Sequence, residues 1–253
     1  MRRIINAFTN ISLFGREETK SGDVLLENAV NSPDETGIWL KFVVISDTHE
    51  EMAKIMNRIP DGDVLIHCGD FTNHGDEERV REFNDQLAQL PHRRKVVIAG
   101  NHENGFDAQF YEKAKLLTAC ELLNDTSIEI EGIKLYGSSW HTMNYRLFST
   151  PPFYCEPGEE TREKWAKIPD NVDILITHQP PKGFLDGRYG DVELLKAVEA
   201  RNPKFHCFGH VHGWLRGGEQ RENDFHQRSS VQGFWGISST RPPIVFYFKV
   251  PGS

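Results

Sequence analysis

Short apolar runs along this chain lead directly into Asp, Asn or His residues. The clearest run is 63–72 (DVLIHCGDFT), in which apolar residues from Val64 onward are followed by Gly69 and Asp70. Such runs are typical of buried strands in α/β sheets, and the polar residues after them lie in loops. Because a sheet gathers these strand ends along one edge, we expect their polar residues to lie together. The same pattern recurs in 41–49, 95–103, 173–179 and 205–212.

Amphipathic helices are predicted between these strands. Apolar residues at 52, 55, 56 and 59 follow helical spacing before Pro60, and those at 80, 83, 87 and 90 predict a helix over 76–90 that ends before Pro91. The first half is therefore predicted to have the order β-α-β-α-β, with parallel strands and helices packed on the sheet. Further helices are predicted over 107–117, 159–168 and 191–200.

The pattern changes in the second half of the chain. Residues 128–136 alternate apolar and charged positions about Glu131 and Gly132, which predicts a hairpin and antiparallel strands in this half. Residues 141–158 lack periodicity and are predicted to form a long surface loop that reaches the strand edge through His141, Asn144 and Tyr145. A closing strand is predicted over 244–250. The fold class is therefore α/β.

Length and composition indicate one domain with an N-terminal extension. The chain has 253 residues, which suits a single α/β domain, and we place it at 37–253. Residues 1–36 form the extension, in which apolar residues follow Arg2 and Arg3 with rough helical spacing. A mitochondrial presequence has similar features, but acidic residues follow closely, so we favour a tail or a helix packed on the domain surface.

Charge and cysteine content narrow the possible functions. The net charge is −8 and the Lys and Arg residues are scattered, which argues against a nucleic-acid groove. The 4 cysteines form no CxxC pair, which favours a reducing compartment, and no apolar run approaches the ~20 residues of a membrane span. We predict a soluble cytoplasmic protein, with mitochondrial targeting as the alternative. The oligomeric state is left open.

The polar strand ends have the combined chemistry of a metal site. One such Asp or Asn usually caps a helix or opens a turn, and one histidine usually belongs to a core or a surface. Together, carboxylate, amide and imidazole groups suit two divalent or trivalent ions such as Mn, Fe or Zn, and Asp70 can bridge them through its two oxygens. We assign the other histidines to the ordinary class: His67, His74, His92, His141, His206 and His226.

The order of the motifs resembles that of the calcineurin-like metallophosphoesterase superfamily over residues 41–250. The motifs are Asp47-x-His49, Gly69-Asp70, Gly100-Asn101-His102-Glu103, His178 and Gly209-His210-x-His212. The segments GDVLIHCGDFT, FNDQLAQLPHRRKVVIAGNHE, NVDILITHQPPKGFLD and RPPIVF are most similar to the metallophosphoesterase-domain-containing (MPPED) branch. Residues 226–240 depart from that branch, which tends to have an Asn-Ala-Ser-like turn there. The resemblance implies a four-layer α/β/β/α sandwich of two mixed sheets flanked by helices.

The resemblance also implies a role for each motif residue. One metal would be held by Asp47, His49, Asp70 and His212, and the other by Asp70, Asn101, His178 and His210. A hydroxide bridging the ions would attack phosphorus in line with the leaving group, and His102 would act as the general acid. Glu103 is assigned a structural role in its loop. Some relatives carry glycine at the position of His210, whereas this chain keeps histidine, so activity is expected.

The expected function is therefore dimetal-dependent hydrolysis of a phosphoester. We favour a phosphodiesterase for small phosphodiesters or cyclic nucleotides, with Tyr145 and Arg188 as candidate phosphate contacts. The expected partner is a small phosphate-ester or nucleotide substrate, and neither nucleic acid nor a membrane is expected. The alternatives are a phosphomonoesterase or protein phosphatase, and a nucleotide-binding regulatory protein with negligible turnover.

Overall fold

The protein alternates strands with short helices. The computed structural model describes residues 32–143, 150–184, 186, 189–211, 232–235 and 242–252. The strands are β1 (Trp39–Ile45), β2 (Val64–His67), β3 (Arg94–Ile98), β4 (Glu121–Leu123), β5 (Thr126–Ile130), β6 (Ile133–Ser138), β7 (Ile174–Thr177), β8 (Phe205–Phe208), β9 (Gln232–Trp235) and β10 (Ile244–Lys249). The helices are α1 (Met52–Ile55), α2 (Glu77–Gln89), α3 (Phe110–Ala114), α4 (Glu159–Trp165) and α5 (Val192–Arg201).

The described strands form two five-stranded sheets, in the orders β10-β1-β2-β3-β4 and β5-β6-β7-β8-β9. In the first sheet, β1 to β4 are parallel and β10 pairs antiparallel to β1. In the second, β5 and β6 form the predicted hairpin, whereas β6 to β9 are parallel. The expectation of further antiparallel strands in this half is therefore wrong. Helices α4 and α5 connect successive strands here, and a helical crossover returns the chain in the same direction.

Both faces of each sheet are buried, which produces a layered sandwich. In β1, alternate residues join different cores: Phe42 and Val44 pack between the sheets, whereas Val43 and Ile45 pack under the helices. Aromatic rings close the layer between the sheets, since the Phe246 ring stacks on Phe42 and on Phe205 of the second sheet, with centroids 5.0 and 4.1 Å apart. This inner layer fixes the two sheets face to face.

Helices cover the outer face of each sheet. Helices α1 and α2 contribute Met52, Val80 and Leu87 to the core on the first sheet. Helices α4 and α5 contribute Trp165 and Leu194 to the core on the second. The α/β fold with two mixed sheets and flanking helices is thus confirmed.

Element boundaries depart from prediction where helices are short. The helix predicted over 52–59 is α1 followed by a 3-10 turn at Met56–Arg58, and the one predicted over 107–117 is reduced to α3. The three-residue strand β4 was not predicted, because a strand so short shows little periodicity. None of the helices in the described ranges has the length and apolar composition of a membrane-spanning helix. The division at residues 36 and 37 stays a prediction, since residues 1–31 lie outside the described part.

Candidate metal centre

Loops from both sheets meet at one place. Asp70 follows β2, and its Oδ2 lies 3.2 Å from Nε2 of His178, which follows β7. Asn101 follows β3, and its Oδ1 lies 2.9 Å from His178 Nε2 and 2.7 Å from Nδ1 of His210, which follows β8. The two imidazole nitrogens are 3.2 Å apart. The structure therefore brings together all the residues predicted to hold the second metal.

A second group of side chains shares Asp70 with the first. His49 Nε2 lies 3.9 Å from Asp70 Oδ2, and the His49 ring meets the His102 ring edge-on, with centroids 4.7 Å apart. The ligand atoms of His49, Asp70 and His102 all lie within 4.8 Å of one another, as do those of Asp70, His178 and His210. Asp70 thus occupies the position expected of a bridging residue.

Hydrogen bonding determines where His178 presents its lone pair. Its Nδ1–H donates to the carbonyl oxygen of Cys68 at 2.8 Å, so Nε2 of the neutral ring is unprotonated. That nitrogen faces Asp70 Oδ2 and Asn101 Oδ1, which are also acceptors. Acceptors that converge in this way need a positive charge between them.

The pKa values within the group reflect this arrangement. Burial would lower the pKa of His178, but the Asp70 carboxylate outweighs it and raises that pKa to about 9. Burial would raise the pKa of Asp70, but the charge of His178 holds it below the usual range. Burial and His178 lower the pKa of His210 to about 3. One positive charge is therefore stabilised among these side chains, either as a proton on His178 or as a metal cation in its place.

The donor atoms suit metal ions rather than a proton alone. Carboxylate, amide and imidazole donors come together from different loops, and no thiolate is among them. Such mixed N/O sets accept Mn, Fe or Zn, and their chemistry does not select one of these ions. The residues present therefore fit a pair of metal ions that share Asp70.

Asp47 connects the sheets on the other side of the site. Each of its carboxylate oxygens lies 3.0 Å from the backbone nitrogen of His210, which donates to them, and Ser46 Oγ donates to Oδ2 at 2.5 Å. Asp47 is buried but is absent from the two groups of mutually close ligand atoms described above. Its role as a metal ligand stays a prediction.

The loops that carry these residues have an unusual backbone. Asp47, His49, Asp70 and His210 all have positive φ, between 42 and 74°. Such a conformation costs a residue other than glycine on the order of 1–3 kcal/mol, and it persists where the surroundings hold it. Backbone hydrogen bonds do so here: Asp47 N donates to Gly69 O at 2.9 Å and His49 N to Asp70 O at 3.0 Å. Strain of this kind is concentrated at functional sites.

Glu103 is buried and joins the loops after β2 and β3. Its Oε2 accepts hydrogen bonds from the backbone nitrogens of Asp70 and Gly100, at 3.0 and 2.6 Å. Its Oε1 accepts from Thr72 N and Oγ1, at 2.8 and 2.9 Å. Burial and the negative charge of Asp70 raise the pKa of Glu103 to about 8, whereas these donors favour the carboxylate. Its contacts are those of a structural residue.

Two motif glycines are required by close packing. A Cβ on Gly100 would meet Asp70 Oδ1 and lie 2.7 Å from His178 Cε1. A Cβ on Gly209 would meet Ser46 Oγ and Asp47 Oδ2. Neither contact leaves room for a methyl group, so glycine at these positions allows the loops to approach one another.

Some predicted residues lie outside the described part of the chain: Asn144, Tyr145, Arg188 and His212. Their assignments stay predictions. His141 was assigned to the ordinary class although its loop was expected to reach the site. Its ring is buried and lies 5.7 Å from that of His210, between centroids, so the structure places it beside the candidate centre.

Two further histidines, assigned from the sequence to the ordinary class, have specific partners beside the site that were not predicted. His67 and His206 are buried, and each contacts a threonine next to a predicted ligand: Thr48 and Thr177 respectively. The available signal was a histidine inside an otherwise apolar buried strand, because such a group needs a specific partner.

Comparisons with known proteins agree with this geometry. Residues 40–214 match the family model described as calcineurin-like phosphoesterase. UPF0046 protein K07C11.7 of Caenorhabditis elegans is 41% identical over 218 residues, which cover 78% of this chain and 73% of that protein. Metallophosphoesterase domain-containing protein 1 of Homo sapiens is 42% identical over 204 residues, which cover 69% of this chain and 61% of the human protein.

A solved structure shares the fold at much lower identity. The crystal structure of TT1561 of Thermus thermophilus superposes with a TM-score of 0.54 and 13% identity, covering 70% of this chain and 83% of that one. At such identity the likeness concerns the fold alone. The match to the family model, however, spans most of the described chain and includes both groups of candidate metal-ligand side chains. The protein therefore belongs to the calcineurin-like phosphoesterase family.

Proposed function

We propose that the protein is a dimetal-dependent phosphodiesterase that acts on small phosphodiesters, including cyclic nucleotides. The observation that carries this proposal is Asp70, whose carboxylate belongs to both groups of ligand atoms. One shared carboxylate between two histidine-containing groups is the arrangement that a pair of metal ions needs. Two cations held by these side chains would supply the charge that neutralises phosphate oxygens and activates a water molecule as the nucleophile.

The side chains around the proposed pair of metal ions would position the substrate and the proton that the leaving group needs. His102 Nδ1 lies 3.0 Å from the carbonyl oxygen of Asn73, so Nδ1–H donates there and Nε2 is directed elsewhere. The backbone nitrogen of His102 donates to Asp70 Oδ1 at 2.9 Å, which keeps the residue beside the shared carboxylate. In its protonated form His102 would hold a proton at Nε2 and deliver it to the leaving oxygen.

The charge of the protein favours a small substrate. A net charge of −8 repels long polyanions, and the scattered Lys and Arg residues do not predict a groove for one. A phosphodiester would instead be attracted by the cations at the site, which reverse the local charge. Cyclic nucleotides and related small diesters fit this description.

The primary test is metal content together with hydrolysis of bis-p-nitrophenyl phosphate, before and after chelation and after Mn²⁺ is added back. We expect about two metal ions per chain, chelator-sensitive turnover that Mn²⁺ restores, and faster hydrolysis of the diester than of p-nitrophenyl phosphate. Faster hydrolysis of the monoester would favour a phosphomonoesterase. Two metals with nucleotide binding but no turnover would favour a regulatory protein, and failure to load metal would overturn the proposal.

The role of His102 has its own test. In His102→Gln, hydrolysis of a diester with an alcohol leaving group should fall about 10²–10⁴-fold, because the alkoxide needs a proton. Hydrolysis of the p-nitrophenyl diester should fall much less, since p-nitrophenolate leaves without one. Metal content should stay the same, because the His102 ring, although it lies among the first group of ligand atoms, is assigned to the proton, and that metal is assigned to Asp47, His49, Asp70 and His212. Equal losses for both leaving groups would contradict proton donation.

A further inference from the structure

His67 makes two hydrogen bonds at the end of β2 that join separate loops. The backbone nitrogen of Gly69 lies 3.3 Å from His67 Nδ1, and the Thr48 hydroxyl lies 3.0 Å from Nε2. The His67 side chain is buried and also packs against the rings of Phe71 and Phe83, with centroids 6.0 and 5.2 Å away. Both polar atoms of the ring therefore have partners within the protein.

The two contacts determine the tautomer of His67. A backbone N–H can only donate, so Nδ1 must accept the hydrogen bond from Gly69. The neutral ring then carries its hydrogen on Nε2 and donates it to Thr48 Oγ1. Burial lowers the pKa of His67 to about 3, against the opposing charges of Asp47 and Asp70, so the ring stays neutral near pH 7.

The residues bonded by His67 lie next to predicted metal ligands. Thr48 separates Asp47 from His49, and Gly69 precedes Asp70. Those three ligands all have positive φ, and Gly69 does too, at 96°. A single imidazole thus joins two loops whose backbones need outside support to keep their conformation.

We infer that His67 is a positioning residue for the metal centre, because it orients the loops that carry Asp47, His49 and Asp70. This inference rests on the proposed metal site. The second sheet has a similar contact: His206 Nε2 lies 2.9 Å from Thr177 Oγ1, whose hydroxyl donates to Gln179 O at 2.7 Å. Thr177 directly precedes His178, so a buried histidine braces a ligand loop in each sheet.

A purely structural role for His67 makes a different prediction. If the ring only fills the core beside Phe71 and Phe83, its loss should destabilise the fold and leave the metal affinity of the folded protein unchanged. If it positions ligands, metal affinity should fall on the scale seen for groups that orient metal ligands, about 10–100-fold. Metal affinity and stability must therefore be measured on the same variants.

The experiment compares His67→Leu with His92→Leu, using the full chain. His92 is a suitable control because it is also buried and its Nε2 contacts Pro60 O at 3.1 Å, away from the candidate ligands. Mn²⁺ affinity is measured by isothermal titration of metal-free protein, and stability by urea unfolding. We expect about 10–100-fold weaker Mn²⁺ binding for His67→Leu, and unchanged binding for His92→Leu despite a comparable loss of stability.

A second pair of variants covers the case in which His67→Leu does not fold. Thr48→Val removes the hydroxyl at nearly constant volume, whereas Thr48→Ser keeps it. We expect Thr48→Val to weaken Mn²⁺ binding and Thr48→Ser to bind as the wild type does. In ¹⁵N NMR spectra of the wild type, His67 should show the neutral Nε2–H tautomer throughout the pH range in which surface histidines titrate.

The outcomes separate this inference from the proposed function. Unchanged Mn²⁺ affinity in both His67→Leu and Thr48→Val would overturn the positioning role, whatever the turnover of the wild type. A wild type that binds two Mn²⁺ ions but hydrolyses no phosphoester would overturn the proposed function and leave the affinity comparison intact. A wild type that binds no Mn²⁺ would overturn both.

Discussion

The two sheets are alike at the amino ends of their strands and differ at the carboxyl ends. Before β2, the Asp63 carboxylate accepts a hydrogen bond from Lys41 N at 2.8 Å, and before β7 the Asp173 carboxylate accepts one from Lys134 N at 2.9 Å. Both aspartates thus hold neighbouring strands in register at the amino end of the sheet. At the carboxyl ends, the first sheet contributes the Asp70 and Asn101 oxygens as well as the His49 and His102 imidazoles, whereas the second sheet contributes imidazoles and no carboxylate in the described residues.

This difference indicates that the two sheets have different roles at the candidate metal centre. The first sheet carries the carboxylate shared by both groups of ligand atoms, so it determines whether two ions can be held next to each other. The second sheet adds His178 and His210 to one of those groups. A change in the shared carboxylate should therefore affect both metal positions, and a change in one histidine should affect one.

The largest effect on metal binding and turnover is expected from Asp70→Asn. The amide cannot carry the negative charge that two cations would share, so both positions should lose affinity and turnover should fall about 10³-fold or more. Metal content and bis-p-nitrophenyl phosphate hydrolysis measure this. Asp63→Asn is the matched control, since it removes a carboxylate from the other end of β2 and should leave metal content unchanged. Loss of a single metal in Asp70→Asn would show that the carboxylate is not shared.

A smaller effect is expected when one histidine from each sheet is replaced. His49→Gln and His178→Gln should each lose about one metal and on the order of 10²-fold in turnover. His178→Gln should also lower the free energy of unfolding by about 1–3 kcal/mol, because the buried Cys68 carbonyl loses its donor. The His49 side chain is 20% exposed, so His49→Gln should lower the free energy of unfolding less than His178→Gln does. Metal analysis and urea unfolding compare the two variants, and equal stability losses would argue against this distinction.

The smallest effect concerns stability as a function of pH. Burial lowers the pKa of His206 in the second sheet from 6.5 to about 3. As pH falls below 6.5, the unfolded chain binds this proton before the folded protein does, so the free energy of unfolding should fall by up to about 1.4 kcal/mol per pH unit. The loss should continue until the pH approaches 3. Urea unfolding of metal-free protein between pH 7 and 5 measures this slope, which should be shallower in His206→Leu; identical slopes would mean that His206 is protonated in the folded state.

Reasoning from the sequence succeeded where the signal is local. Buried strands show as apolar runs, and β2, β3, β7 and β8 lie where those runs predicted them. Helix α2 lies within one residue of its predicted bounds because its apolar face repeats over several turns and Pro91 ends it. In the second sheet the hairpin was predicted correctly, but the parallel direction of the later strands was not, because pairing between distant strands leaves no local periodicity.

The sequence by itself determined which residues could bind metal. Asp, Asn and His have metal-binding side chains, and their positions after apolar strands place them at one edge of a sheet. Only the tertiary structure decided how they are grouped. That Asp70 lies in both groups, that Asp47 contacts the backbone of His210, and that His67 joins two ligand loops all depend on contacts between residues far apart in the chain. Such contacts follow from packing two sheets face to face, and no short stretch of sequence specifies that packing.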